Sequence, residues 1–210
     1  MLLAQVLPLA RPQGLASAGA IYSVHAQPKG LRFATGGIDQ KVRIWNLPAA
    51  LDAKVEAQPS TSKLLATLVE HTGAVNVVRF SYDGKLLASG SDDFSVIIYH
   101  QLAGAGGMTL GSTASNVENW RPKLMLRGHA SNISDLAWSH DNTKLATASM
   151  DCSVIVWDVA AGGHRLATLS AQRSFVKGVQ WDPVGSYLAA QVRLDLGQGM
   201  CRPANMELAL

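Results

Sequence analysis

Two histidines in this chain stand at the same distance from an aspartate and from an aromatic residue. His71 lies 22 residues before Asp93 and 28 before Tyr99, and His129 lies 22 before Asp151 and 28 before Trp157. A hydroxyl stands between them in each case: Ser89 in the first set, Thr147 or Ser149 in the second. A histidine between a carboxylate and a hydroxyl has the residue types of a base, its orienting acid and a nucleophile. The same types also make an internal chain of hydrogen bonds, because an indole N–H only donates, a carboxylate only accepts and a neutral imidazole does one of each. The set occurs twice at one spacing, so it belongs to the structural unit that repeats. No catalytic residue is assigned, and His71, Ser89, Asp93, Tyr99, His129, Thr147, Asp151 and Trp157 are expected to form a structural network.

The elements that would position these groups are written three times. Phe33-Ala-Thr-Gly-Gly-Ile-Asp-Gln-Lys-Val-Arg-Ile-Trp45, Leu87-Ala-Ser-Gly-Ser-Asp-Asp-Phe-Ser-Val-Ile-Ile-Tyr99 and Leu145-Ala-Thr-Ala-Ser-Met-Asp-Cys-Ser-Val-Ile-Val-Trp157 each run from an apolar stretch through small residues to an aspartate, with an aromatic six residues later. This is a β-hairpin pattern. The aromatic positions recur at intervals of 54 and 58 residues, in the range of one small sheet per repeat with inserts between repeats. Asp39 and Trp45 complete the pattern in the first copy, which has no histidine between residues 13 and 19 where the spacing places one.

Gly128-His129 opening a copy and Trp157-Asp158 closing it resemble the WD-repeat family, whose repeats form four-stranded blades around a central channel. The expected fold is all-β: an incomplete WD-repeat β-propeller of about three and a half blades of four-stranded antiparallel sheets. Repeats are placed at about residues 16–46, 71–100, 129–159 and 172–191, after an atypical segment 1–15 and before a divergent tail 192–210. The fourth repeat has Gln172 where Gly-His would stand. It should carry an acid near residue 194 and an aromatic near 200, and only Asp195 comes close. A chain that leaves the pattern after Gln191 is expected to be a fragment or an altered gene model, with blades two and three folded and the ends frayed. Residues 47–63 read as a polar loop before an outer strand at 64–68, and residues 101–122 as a glycine-rich insert before an outer strand at 123–126. The glycine run at 104–107 lacks the Lys-Ser or Lys-Thr of a phosphate-binding loop and reads as a flexible connection.

Further motifs narrow the resemblance. Lys41-Val-Arg-Ile-Trp-Asn46, Asn116-Val-Glu-Asn-Trp120, Leu126-Arg-Gly-His129 and Val176-Lys-Gly-Val-Gln-Trp-Asp-Pro-Val-Gly185 look like the amino-terminal propeller of the HIRA family of histone chaperones, over about residues 21–191. The resemblance implies a scaffold in replication-independent nucleosome assembly, chromatin organisation and transcriptional repression, located in the nucleus. It also implies a ubinuclein-type subunit as partner, with core histones reached through the complex. His71-Thr-Gly-Ala-Val-Asn-Val-Val-Arg-Phe80 with Leu87-Ala-Ser-Gly is similar to the middle subunit of chromatin assembly factor. A generic WD-repeat adaptor, such as a ubiquitin-ligase receptor, is the other alternative, since the fold supports many roles.

Composition sets bounds on these readings. The net charge of +3 and pI near 9.0 come from Lys and Arg spread singly, so direct DNA binding is not expected. Cys152 and Cys201 have no Cys-x-x-Cys spacing, and no metal or cofactor is expected. No apolar run approaches the roughly 18 residues of a membrane span. The apolar opening lacks a basic start and is broken by Pro8 and Arg11, unlike a secretory signal. Asn132-Ile-Ser134 is a formal glycosylation sequon that a nuclear protein does not use.

Overall fold

A computed structural model describes residues 19–107, 115–170, 173–192 and 205–206. The segment 1–15, Gln172, Asp195, Cys201 and the positions near 194 and 200 lie outside the described residues. The strands form four antiparallel sheets. The first contains β1 (Ile21–Ala26), β2 (Arg32–Gly37), β3 (Val42–Asn46) and β4 (Leu64–Leu68), in chain order. The second contains β5 (Val75–Phe80), β6 (Leu86–Ser91), β7 (Ser95–Ala105) and β8 (Glu118–Arg127). The third contains β9 (Ile133–Trp138), β10 (Lys144–Ser149), β11 (Val154–Asp158) and β12 (His164–Leu169), and the fourth β13 (Val176–Trp181), β14 (Leu188–Val192) and β15 (Asn205–Met206). These are three four-stranded propeller blades followed by a three-stranded sheet.

Three apolar cores hold the blades together, one at each junction. Val42, Ile44, Leu68, Val75, Val78, Leu87, Ile97 and Tyr99 fill the first, between blades one and two. Ala88, Val96, Ile98, Ile133, Leu136 and Ile155 belong to the second, and Ala148, Val154, Val156, Val176, Val179 and Leu188 to the third. Both faces of blades two and three are therefore covered. That is why β6, β10, β11 and the first half of β7 are buried at successive positions rather than at alternating ones, with small and hydroxyl residues among the apolar side chains.

Small residues on the second strand of each blade seat the inner strand of the next. A Cβ added at Gly36 would meet Val75 at 2.5 Å, and one at Gly90 would meet Ile133 at 2.5 Å. Polar ties cross the same junctions. Trp138 Nε1 donates to the Arg79 carbonyl at 3.0 Å, and Trp181 Nε1 repeats that bond to the Ala137 carbonyl at 3.1 Å. Asp135 pairs with Arg79 at 3.1 Å and accepts the Val179 N–H at 3.1 Å, so one carboxylate links three inner strands.

Both inserts differ from their expected form. Residues 47–63 contain two short helices, α1 (Leu47–Leu51) and α2 (Ala53–Glu56). Asn46 and Asp52 cap them by accepting the N–H groups of Ala49 and Lys54, and Pro48 sits in the first turn of α1 where its missing donor costs nothing. The outer strand of blade two begins at Glu118 rather than 123, and β7 runs into the glycine stretch as far as Ala105. Burial of Trp120 at 2 % exposure anchors this longer ribbon. Gly104 therefore lies inside a strand, near the end of β7. In the divergent tail, Asn205–Met206 pairs with Leu188 and Ala189 as the third strand of the fourth sheet.

Candidate functional site

In blade three the four predicted groups meet in one chain. His129 Nδ1 donates to Asp151 Oδ2 at 2.9 Å, and the hydroxyl of Thr147 donates to His129 Nε2 at 2.7 Å. The Trp157 indole then donates to Thr147 Oγ1 at 3.0 Å. Of the two candidate hydroxyls, Thr147 joins the histidine, while Ser149 bonds the Ser131 carbonyl and receives the Asp151 N–H. The carboxylate fixes the tautomer. Its oxygens only accept, so Nδ1 carries the proton and Nε2 is left to accept.

Blade two repeats the geometry as far as the aromatic. His71 Nδ1 donates to Asp93 Oδ2 at 2.8 Å, and Ser89 Oγ donates to His71 Nε2 at 2.7 Å. Tyr99 is fully buried, but its hydroxyl makes no hydrogen bond among the described residues. Blade one keeps only the outer part. Trp45 Nε1 donates to Thr35 Oγ1 at 2.9 Å, while Asp39, with no histidine to meet, pairs with Arg43 and accepts the Lys41 N–H.

Sequence reasoning missed three partners. Ser95 and Ser153, two residues after each aspartate, donate from both backbone and hydroxyl to Asp93 Oδ1 and Asp151 Oδ1, at 2.6 to 3.0 Å. The Asp-x-Ser pattern in both copies was the available signal. Thr35, the first-blade counterpart of Thr147, was legible from the same alignment.

The electrostatics keep both histidines neutral and both aspartates ionised. Burial lowers the pKa of His71 and of His129 despite the opposing pull of their aspartates, so both rings are neutral at pH 7. Burial works against ionisation of Asp93, but the Ser95 hydroxyl, the Thr72 N–H and His71 outweigh it and hold its pKa down to about 2. Asp151 is lowered against the same opposition by Ser153, Ala130 and His129. Ser89 and Thr147 each lie 2.7 Å from their histidine, and Thr147 Oγ1 also meets the Ile155 carbonyl at 3.2 Å. No group of three or more metal-ligating side chains occurs among the described residues.

The diagnostic Asn116–Trp120 motif forms a second constellation, on the outer rim. The Asn116 side chain takes the Thr67 N–H at 2.8 Å and gives to the Thr67 carbonyl at 3.3 Å, while Val117 N–H donates to the Leu65 carbonyl at 2.9 Å. Glu118 takes both Arg32 at 2.7 Å and the Trp120 indole at 2.8 Å, and Trp120 packs edge-on against Phe80. A segment of blade two thus clasps the outer edge strand of blade one.

Comparison with known proteins agrees with this architecture. The CAF1B/HIR1 beta-propeller domain family matches residues 18–203. Protein HIR1 of Cryptococcus neoformans is 46% identical over 172 residues, covering 82% of this chain and 19% of that protein. Protein HIRA of Oryza sativa subsp. japonica is 45% identical over 143 residues, covering 68% and 15%. A chromatin assembly factor 1 protein of Mus musculus is 36% identical over 176 residues, covering 81% and 29%. The chain therefore spans about a fifth of the length of the HIR1 protein it matches.

Proposed function

The chain belongs to the CAF1B/HIR1 β-propeller family, and from that premise we propose that it is a non-catalytic WD-repeat scaffold of the HIRA type. It acts in the nucleus, in replication-independent nucleosome assembly, chromatin organisation and transcriptional repression. Its direct partner is a ubinuclein-type subunit, and core histones are reached through the complex. The carrying observation is the match at 46% identity to a HIR1 protein, together with the Asn116–Trp120 clasp that the family-like motif builds. The hydrogen-bond chains support a scaffold role, since both nitrogens of each histidine and the Ser89 and Thr147 hydroxyls are used within the blade.

The weaker identity to a chromatin assembly factor protein favours the HIRA reading over that alternative. The decisive test is purification of the endogenously tagged protein with quantification of named subunits. Recovery of a ubinuclein-type subunit with histones supports the proposal. Recovery of the other chromatin assembly factor subunits, or of ubiquitin-ligase subunits, replaces it with the corresponding alternative.

A further inference from the structure

Blades two and three differ at two positions that face each other. Blade three has Gly128 before its histidine and Trp157 as its aromatic, and blade two has Glu70 and Tyr99. Gly128 has little room for a side chain, because a Cβ there would lie 3.0 Å from Cη2 of Trp157. In blade two the place of Gly128 is taken by Glu70, whose carboxylate lies near the Tyr99 hydroxyl. Two buried polar atoms then stand without a hydrogen-bond partner among the described residues: the Tyr99 hydroxyl and Oε2 of Glu70. Leaving both unmade would be costly, since a buried unsatisfied group costs about 1–3 kcal/mol.

We propose that Glu70 and Tyr99 function as one pair, in which the Tyr99 hydroxyl donates to the Glu70 carboxylate and closes the blade-two network. Blade three reaches the same end by packing Trp157 over Gly128 and sending the indole N–H to Thr147. Ser89 Oγ, the counterpart of Thr147 Oγ1, also lies beside the Tyr99 hydroxyl and keeps a lone pair after donating to His71, so Ser89 and the Glu70 carboxylate are competing acceptors, of which the charged carboxylate is the stronger. Burial, and next the Glu70 carboxylate, push the Tyr99 hydroxyl pKa well above its ordinary value, which agrees with the two groups lying side by side. The pair also has a position of consequence: Glu70 stands in the connection from β4 to β5, and Tyr99 lies in the core shared by blades one and two.

The sign of one substitution tests this. Tyr99→Phe removes the hydroxyl and nothing else. If the hydroxyl serves Glu70, the variant strands a buried carboxylate and Tm falls, by about 2–4 °C for each kcal/mol lost. If the hydroxyl is idle, deleting a buried unsatisfied group leaves Tm unchanged or raises it, and the proposal fails. A double-substitution cycle supplies an independent measure. Glu70→Gly and Tyr99→Trp should each lower Tm, and together they should recover most of the loss by recreating the blade-three pair; additive losses would overturn the pairing. Ultraviolet titration of the Tyr99 phenol, taken as the difference from Tyr99→Phe, should show its pKa fall in Glu70→Gln, an effect that loss of packing alone would not give.

Discussion

Trp157 and His129 share one oxygen: Thr147 Oγ1 receives the indole N–H at 3.0 Å and lies 2.7 Å from the histidine Nε2. A single hydroxyl therefore satisfies two buried groups. Thr147→Val keeps the shape and strands both, and should lose about 1–3 kcal/mol per group in urea unfolding. Thr35→Val strands only the half-buried Trp45 indole and should cost clearly less. Equal losses in the two variants would mean that the histidine gains nothing from the hydroxyl.

Acid should weaken the fold in two stages. Burial lowers the folded pKa of His71, His129 and His25 below the 6.5 of the unfolded chain. Below pH 6.5 the unfolded state then binds more protons, so stability falls as pH decreases and is level above about pH 7. Asp93, held at about 2 against an ordinary 3.8, contributes stability present above 3.8 and lost as pH falls through 2. Urea midpoints at pH 8, 6.5 and 5 check the first stage. A midpoint that rises between pH 7 and 5 would contradict it.

Asn116 substitutes for a neighbouring strand at the outer edge of blade one. Asn116→Ala should free the Thr67 N–H and speed its hydrogen exchange, with little effect at Ala66 deeper in the same strand. Trp120→Ala should do more, losing about 3–5 kcal/mol because it empties a core position shared by two blades. Unchanged exchange at Thr67 in Asn116→Ala would show that the side-chain pairing contributes nothing.

Gly90 should not tolerate even one methyl group. Gly90→Ala places a Cβ 2.5 Å from Ile133 Cγ2 and must push blades two and three apart, at a cost of about 1–3 kcal/mol. Gly104→Ala, with open space around it, isolates the packing effect from the general effect of losing a glycine, although its positive φ adds local strain. A smaller loss at position 90 than at 104 would refute the seating role.

Much of the fold was legible because the repeat fixes it three times. The hairpin pattern, the 22-residue interval and the apolar runs each recur, and the recurrence separates a blade residue from a chance one. The inserts were less legible for a physical reason: they occur once. Residues 47–63 read as a polar loop from Pro48, Pro59 and Ser60-Thr-Ser62, and only Asn46 ahead of Pro48, and Asp52 ahead of the alanine-containing stretch 53–57, hint at two capped helical turns. Trp120 reads as part of a loop because its burial depends on Phe80, forty residues earlier. In the network, the residue types identified His129 and Asp151, but whether Thr147 or Ser149 met the ring depended on strand facing. Tyr99 looked a simple stand-in for tryptophan until its unpartnered hydroxyl set it apart.

Nucleosome assembly outside replication is the central role proposed for this chain. Incorporation of newly made, tagged core histone into chromatin should be measured in cells depleted of the protein, separately within and outside S phase. Deposition outside S phase should be lost, and restored by the wild-type protein but not by Trp120→Ala. Deposition that falls only during S phase, or not at all, would contradict that role.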